Sequence, residues 1–80
     1  MYYVGCYTLD EADNGTVIST VEGVGTTDRC HVECKRVAAC VAWTWVTGAH
    51  PTAADHFKCM LHSDTANVTE AGAVRGTGSC

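Results

Sequence analysis

Hydrophobic and polar positions divide the chain into short segments of differing period. Tyr2, Tyr3, Val4, Gly5, Cys6, Tyr7 and Thr8 form an aromatic, β-prone run, and the turn-rich Asp10 to Gly15 separates it from a second such run, Thr16 to Val21. Both runs predict strands. Gly23 and Gly25 then break the pattern, and Thr26 or Thr27 offers an N-cap ahead of Asp28, whose negative charge suits the first turn of a helix. From Asp28 to about Ala38 the positions Cys30, Cys34, Val37 and Ala38 recur at helical spacing, with Arg29, His31, Lys35 and Arg36 on other sides.

After Cys40 the period changes to two. Val41, Trp43 and Trp45 alternate with Ala42, Thr44 and Val46, predicting a strand with a heavy face and a light one. Thr47 to His56, with Gly48 and the lone Pro51, is expected to be a loop, and Phe57 to His62 a further strand. Ser63 to Thr69 is polar, and Ala73, Val74 and Arg75 before Gly76 suggest a short last strand. The class expected is α+β: a small antiparallel sheet against a single helix.

Composition limits what such a domain can be. Eighty residues hold one domain, and a chain with 46% hydrophobic and 18% charged residues is too apolar for a disordered tail. A domain this small buries only about 60% of its unfolded surface, so a covalent or metal staple is expected. The net charge of −4, with Arg29, Lys35, Arg36, Lys58 and Arg75 spread along the chain, argues against nucleic acid as a partner, because neutralising phosphates needs clustered cations. No apolar run is long enough to span a bilayer, so membrane insertion is not expected. Residues 1–80 are read as one module of a larger multidomain secreted protein.

Six cysteines supply the staple: Cys6, Cys30, Cys34, Cys40, Cys59 and Cys80. An even count in a short chain points to three disulfides formed in an oxidising compartment, outside the cell or in the lumen of a secretory organelle. Zinc is the competing staple, with Cys30, His31 and Cys34 at hand, but the CxxC and HxxxH units of structural zinc sites are absent, as is the CxxC of a redox enzyme. Neither a metal nor a cofactor is expected. Cys30 and Cys34, four apart, stand on one helix face and point at the same neighbouring layer. Cys34 and Cys40 are close enough to tie the helix end to the next element, leaving Cys30 to reach Cys59 and Cys6 to reach Cys80.

The order of these features resembles the apple/PAN domain. Cys6 comes first, then Thr26-Thr27-Asp28-Arg29-Cys30 opening a helix, Cys34 one turn on, and Cys40 followed by Val-Ala-Trp-Thr-Trp. Phe-Lys-Cys59-Met-Leu and Gly72-Ala-Val-Arg-Gly76 before Cys80 complete the pattern, which covers essentially the whole chain. The resemblance implies a curved antiparallel sheet cradling one helix, with the nested pairing Cys6–Cys80, Cys30–Cys59 and Cys34–Cys40. It also implies a non-catalytic adhesion module of an extracellular mosaic protein, such as a parasite microneme adhesin, that binds carbohydrate or protein.

Catalytic readings are weak. His62-Ser63-Asp64 has the letters of a triad, but consecutive residues of an extended chain point in alternating directions and cannot relay a proton. The Gly-x-Gly pieces at Gly23 and Gly76 lack the strand-to-helix context and lysine of a phosphate cradle and read as turns. Trp43 and Trp45 have the flat faces that stack on sugars, yet a domain with one Phe and few large aliphatics needs them for its core. Tyr2, Tyr3 and Tyr7 offer a second aromatic patch with the same ambiguity. The better binding candidates lie on the polar loop: His50, His56 and the adjoining Lys58, whose groups suit sugar hydroxyls or acidic partners. Asn14-Gly-Thr16 and Asn67-Val-Thr69 fit the N-glycosylation sequon. The expected function is recognition of a glycan or an extracellular protein through rigidly displayed loops. The alternative is an architectural spacer that positions neighbouring domains of the parent chain and has no ligand of its own.

Overall fold

A computed structural model of the chain describes residues 7–77. They form five strands and one helix in the order β1 (Tyr7–Asp13), β2 (Val17–Val21), α1 (Thr27–Lys35), β3 (Ala42–Val46), β4 (Cys59–His62) and β5 (Asn67–Thr77), with a single 3-10 turn at Ala53–Asp55. All strand pairs are antiparallel and make one sheet of order β1-β5-β3-β4-β2. This is the α+β architecture the sequence predicts.

Thr26 caps α1, its hydroxyl accepting the Arg29 N–H at 3.2 Å, with Asp28 in the first turn and Lys35 in the last. The helix stops at Lys35, short of the expected Ala38. Continued as helix, the chain from Cys34 to Cys40 would rise about 9 Å. Instead turns at Val37 and Cys40 return it, so that Cys34 and Cys40 bond with Cα atoms 5.4 Å apart. The expected Cys30–Cys59 bond is also present and joins α1 to β4. Cys6–Cys80 lies outside the described residues, as do Tyr2 and Tyr3. His31, expected on an outer side of the helix, is instead wholly buried beside Cys30 and Cys34, and accepts the Trp43 indole N–H at 3.3 Å. Position 31 lies three before 34, on the edge of the same helical stripe.

The helix covers one sheet face. There Trp43, Leu61, Cys59 and Val74 pack with Val24, Cys30, Cys34 and Cys40, and Tyr7, Val21, Val37 and Trp45 close the margin. Trp43 is therefore core, and Trp45 packs half-buried at the edge. Burying that indole against exposure is worth about 2–3 kcal/mol, a large part of a small domain's margin.

The other face is covered by the sheet itself. Asp10 to Asp13, expected as a turn, continue β1, while β5 begins at Asn67, well before the expected Ala73. Between the pairs Leu9↔Val74 and Glu11↔Thr69 the single residue Asp10 faces four residues of β5, Glu70 to Ala73. Asp10 and Gly72 both take positive φ there, 59° and 82°, and the Asp10 carboxylate accepts the Gly72 N–H at 3.2 Å. The ribbon bends at this bulge and lays its far end over β3, where the Asp13 N–H donates to Thr44 Oγ1 at 2.8 Å. Composition concealed these strand halves because much of the ribbon faces water and so reads as polar.

Candidate functional site

The segment 47–58 joins β3 to β4 and closes against the bulge. The Thr47 N–H donates to the Gly72 carbonyl at 2.9 Å, and the Val46 N–H to the Lys58 carbonyl at 2.9 Å. His50 sits at the centre of the corner. The Thr52 N–H donates to His50 Nδ1 at 3.0 Å, so Nε2 carries the proton and donates to the Glu70 carboxylate at 3.2 Å. His56 Nε2 in turn donates to the His50 carbonyl at 2.6 Å. Lys58 pairs with Asp55 at 3.2 Å, next to this contact. The tertiary structure thus joins His50 directly to His56, while Lys58 holds the following turn. His50 is nearly buried, whereas the side chains of Lys58, Asp55 and Glu70 reach solvent.

Phe57, expected as the first residue of a strand, is the residue the corner displays. It has φ 64° and remains 42% exposed. Three contacts hold it there. Its N–H donates to the Val46 carbonyl at 2.8 Å, and its carbonyl accepts the Val24 N–H at 2.8 Å. Its ring rests 6.5 Å from that of Trp45, whose indole N–H donates to the Val24 carbonyl at 2.7 Å. The His56 ring also stands steeply inclined to the Phe57 ring, with centroids 6.1 Å apart. A left-handed conformation costs a bulky residue on the order of 1 kcal/mol or more, and such strain concentrates at binding sites. The one sequence signal for this position is a lone Phe following a polar loop.

A second polar constellation is structural. Thr44 Oγ1 bonds His62 Nε2 at 3.0 Å and also reaches the Asp13 carbonyl at 3.4 Å, and His62 Nδ1 donates to the Gly15 carbonyl at 3.1 Å. The Asp13 carboxylate accepts the Gly15 and Ala66 N–H groups and pairs with Arg75 at 3.2 Å. A hydroxyl beside an imidazole is a nucleophile–base arrangement, but Thr44 and His62 are 0% and 1% exposed, beneath the folded ribbon. Ser63 and Asp64, the other letters of the apparent triad, lie apart from this pair: Asp64 bonds the Thr16 N–H and hydroxyl.

Asn14 and Asn67 are both exposed and lie together at the ribbon end, where Asp13 faces Asn67. Among the described residues no group of three or more His, Cys, Asp or Glu side chains is placed to hold a metal, and no helix is long and apolar enough to cross a membrane.

No protein-family model matches the sequence, and no curated protein sequence matches it. The fold does have solved counterparts. A PAN module from Eimeria tenella, solved in solution, superposes with a TM-score of 0.64 at 25% identity, covering 94% of this chain and 80% of that one. The chain therefore has the PAN-module fold that its cysteine order and aromatic strand resemble, a fold that points to an adhesion-type extracellular module.

Proposed function

We propose that the chain is a non-catalytic adhesion module, one of several in a longer secreted protein, and that it engages its ligand at the corner around Phe57. The observation that carries this reading is the display of Phe57: a half-exposed aromatic ring held at φ 64° by main-chain bonds on both sides and backed by Trp45. A rigid ring loses little entropy when a ligand stacks on it. Around it stand the Lys58–Asp55 and His50–Glu70 pairs, alternating donors and acceptors suited to the hydroxyls of a sugar whose apolar face lies on the ring. His50 and His56 shape the corner, and Phe57 and Lys58 make the contact.

A glycan array and a panel of extracellular proteins, probed with the disulfide-intact domain, test this reading. Selective glycan binding that is lost in Phe57→Ala, with the fold retained by NMR, supports the carbohydrate version. Binding to an extracellular protein alone, again lost in Phe57→Ala, supports the protein version. Binding unaffected by Phe57→Ala overturns the assignment of the site. Absence of any ligand, together with loss of the parent protein's function on deletion of the domain, favours the spacer.

A further inference from the structure

The sheet has two edges among the described residues, β1 and β2, and they differ in kind. Strand β1 is guarded: it carries Asp10 and Glu11, bends at Asp10, and turns across the sheet at the bulge. Strand β2 is not. From Val17 to Val21 it has no charged residue and no proline, its side chains are exposed except at half-buried Val21, and Val17 and Ile18 are 50% and 39% accessible. Four of these five residues are β-branched. An uncharged, β-branched edge with free main-chain groups on one side is a template for another strand, and soluble domains ordinarily block such edges.

We propose that the β2 edge pairs with the β2 edge of a second copy of this chain, antiparallel about a two-fold axis, giving a continuous ten-stranded sheet. Two features select that occupant. The incoming strand must be extended, uncharged and free along one edge, and among the described strands β2 meets all three conditions. The chain carries a net charge of −4, so copies repel over most of their surfaces, and β2 lets two of them meet with no like charges abutting.

The bulge at Ile18 sets the register. On β2 the pairing with β4 shifts between Val17 and Ser19 and is regular from Ser19 to Val21. The two-fold axis therefore falls at Thr20, which faces Thr20 of the second copy, while Ser19 faces Val21 of the second copy. Facing Thr residues on neighbouring strands are a favourable pair. The three residues of each β2 that face one another, about 10 Å of edge, bury far less than the roughly 1,200 Å² of a stable interface, so the dimer is weak and concentration-dependent. Its use is avidity: two ligand-binding corners are carried on one rigid sheet.

Sedimentation velocity and amide hydrogen exchange on the disulfide-intact domain, from about 20 µM to about 1 mM, test the pairing. The expected result is a monomer at the low end and a dimer at the high end, with added protection confined to β2 amides. Thr20→Lys and Thr20→Glu place like charges face to face and each weakens association at least tenfold, while an equimolar mixture of the two restores it. NMR shifts of Trp43 and Leu61 report that both variants remain folded. A wild-type chain monomeric at about 1 mM overturns the proposal, as does a dimer that Thr20→Lys leaves intact. Protection of β2 gained only when an unrelated extended peptide is added overturns the second copy as the occupant.

Discussion

Trp45 stands behind Phe57 with ring centroids 6.5 Å apart, and Val24 ties both to one backbone site, its N–H bonded to the Phe57 carbonyl and its carbonyl to the Trp45 indole. The exposed ring is thereby coupled to the core, because Val24 is 2% accessible and packs among the cystines. Movement of the Phe57 main chain requires breaking its hydrogen bond to Val24.

Substitutions at Phe57 separate backbone strain from ring contact. Phe57→Gly removes the conformational cost, on the order of 1 kcal/mol, while giving up a half-exposed contact, so unfolding free energy is expected to stay within about 1 kcal/mol of wild type. Phe57→Val keeps a side chain, but a β-branched one that tolerates positive φ poorly. It is expected to be the less stable of the two by about 1 kcal/mol in urea unfolding. Stability that ranks Val above Gly would show that the left-handed conformation is not maintained in solution.

Gly72 and Gly15 are expected to be intolerant. A Cβ on Gly72 would stand 2.6 Å from the His50 Cα in addition to facing φ 82°, and one on Gly15 would overlap the Asp64 carbonyl. Neither obstacle is a flexible side-chain tip. Gly72→Ala and Gly15→Ala should each cost about 2–4 kcal/mol, enough to leave a domain of this size partly unfolded at 37 °C. Gly25→Ala, with nothing within 4 Å, serves as the control and should change the thermal midpoint little.

The network under the ribbon depends on one hydroxyl. Thr44→Val keeps the shape of the side chain but leaves the Asp13 N–H and His62 Nε2 buried without their partner, at a cost of about 2–4 kcal/mol. Thr44→Ser should recover most of it. The same bonds require His62 to carry its proton on Nδ1, whereas His50 and His56 carry theirs on Nε2. Long-range nitrogen–proton NMR correlations distinguish these tautomers directly, and an Nε2–H form of His62 would contradict the network.

Cys30–Cys59 closes a loop with a sequence separation of 29, and Cys34–Cys40 one of 6. In the chain-entropy account these correspond to about 3.6 and 2.2 kcal/mol. Replacing Cys30 and Cys59 together by Ala should therefore destabilise more than replacing Cys34 and Cys40. It also removes the covalent tie between the helix and β4. Equal losses would show that native contacts, and not chain closure, set the difference.

The helix start and the central strands were legible in the sequence because local chemistry decides them. Thr26 and Asp28 are a cap and a first-turn charge wherever they occur, and Val41 to Val46 alternate because one face must be buried. Cysteine spacing likewise carried the two observed pairings, since a helix places Cys30 and Cys34 on one side. Local rules misjudged the β1–β5 ribbon and His31. Strand pairing over more than fifty residues of sequence made Glu11 to Asp13 extended, and close packing against Trp43 drew His31 into the core.

The candidate site divides in the same way. His50, His56 and Lys58 were visible as polar groups on a loop, but their joining at one corner depends on Gly72, Glu70 and Val24, which are remote in sequence. Phe57 was read as part of a strand, since the Val46 and Val24 bonds that hold it at positive φ appear only after the loop closes. By itself the sequence determined the Cys30–Cys59 and Cys34–Cys40 staples and the class of fold, because these follow from residue type and spacing. The tertiary structure alone decided which aromatic is displayed and which is buried, because that choice is made by backbone hydrogen bonds between segments that meet only when the sheet assembles.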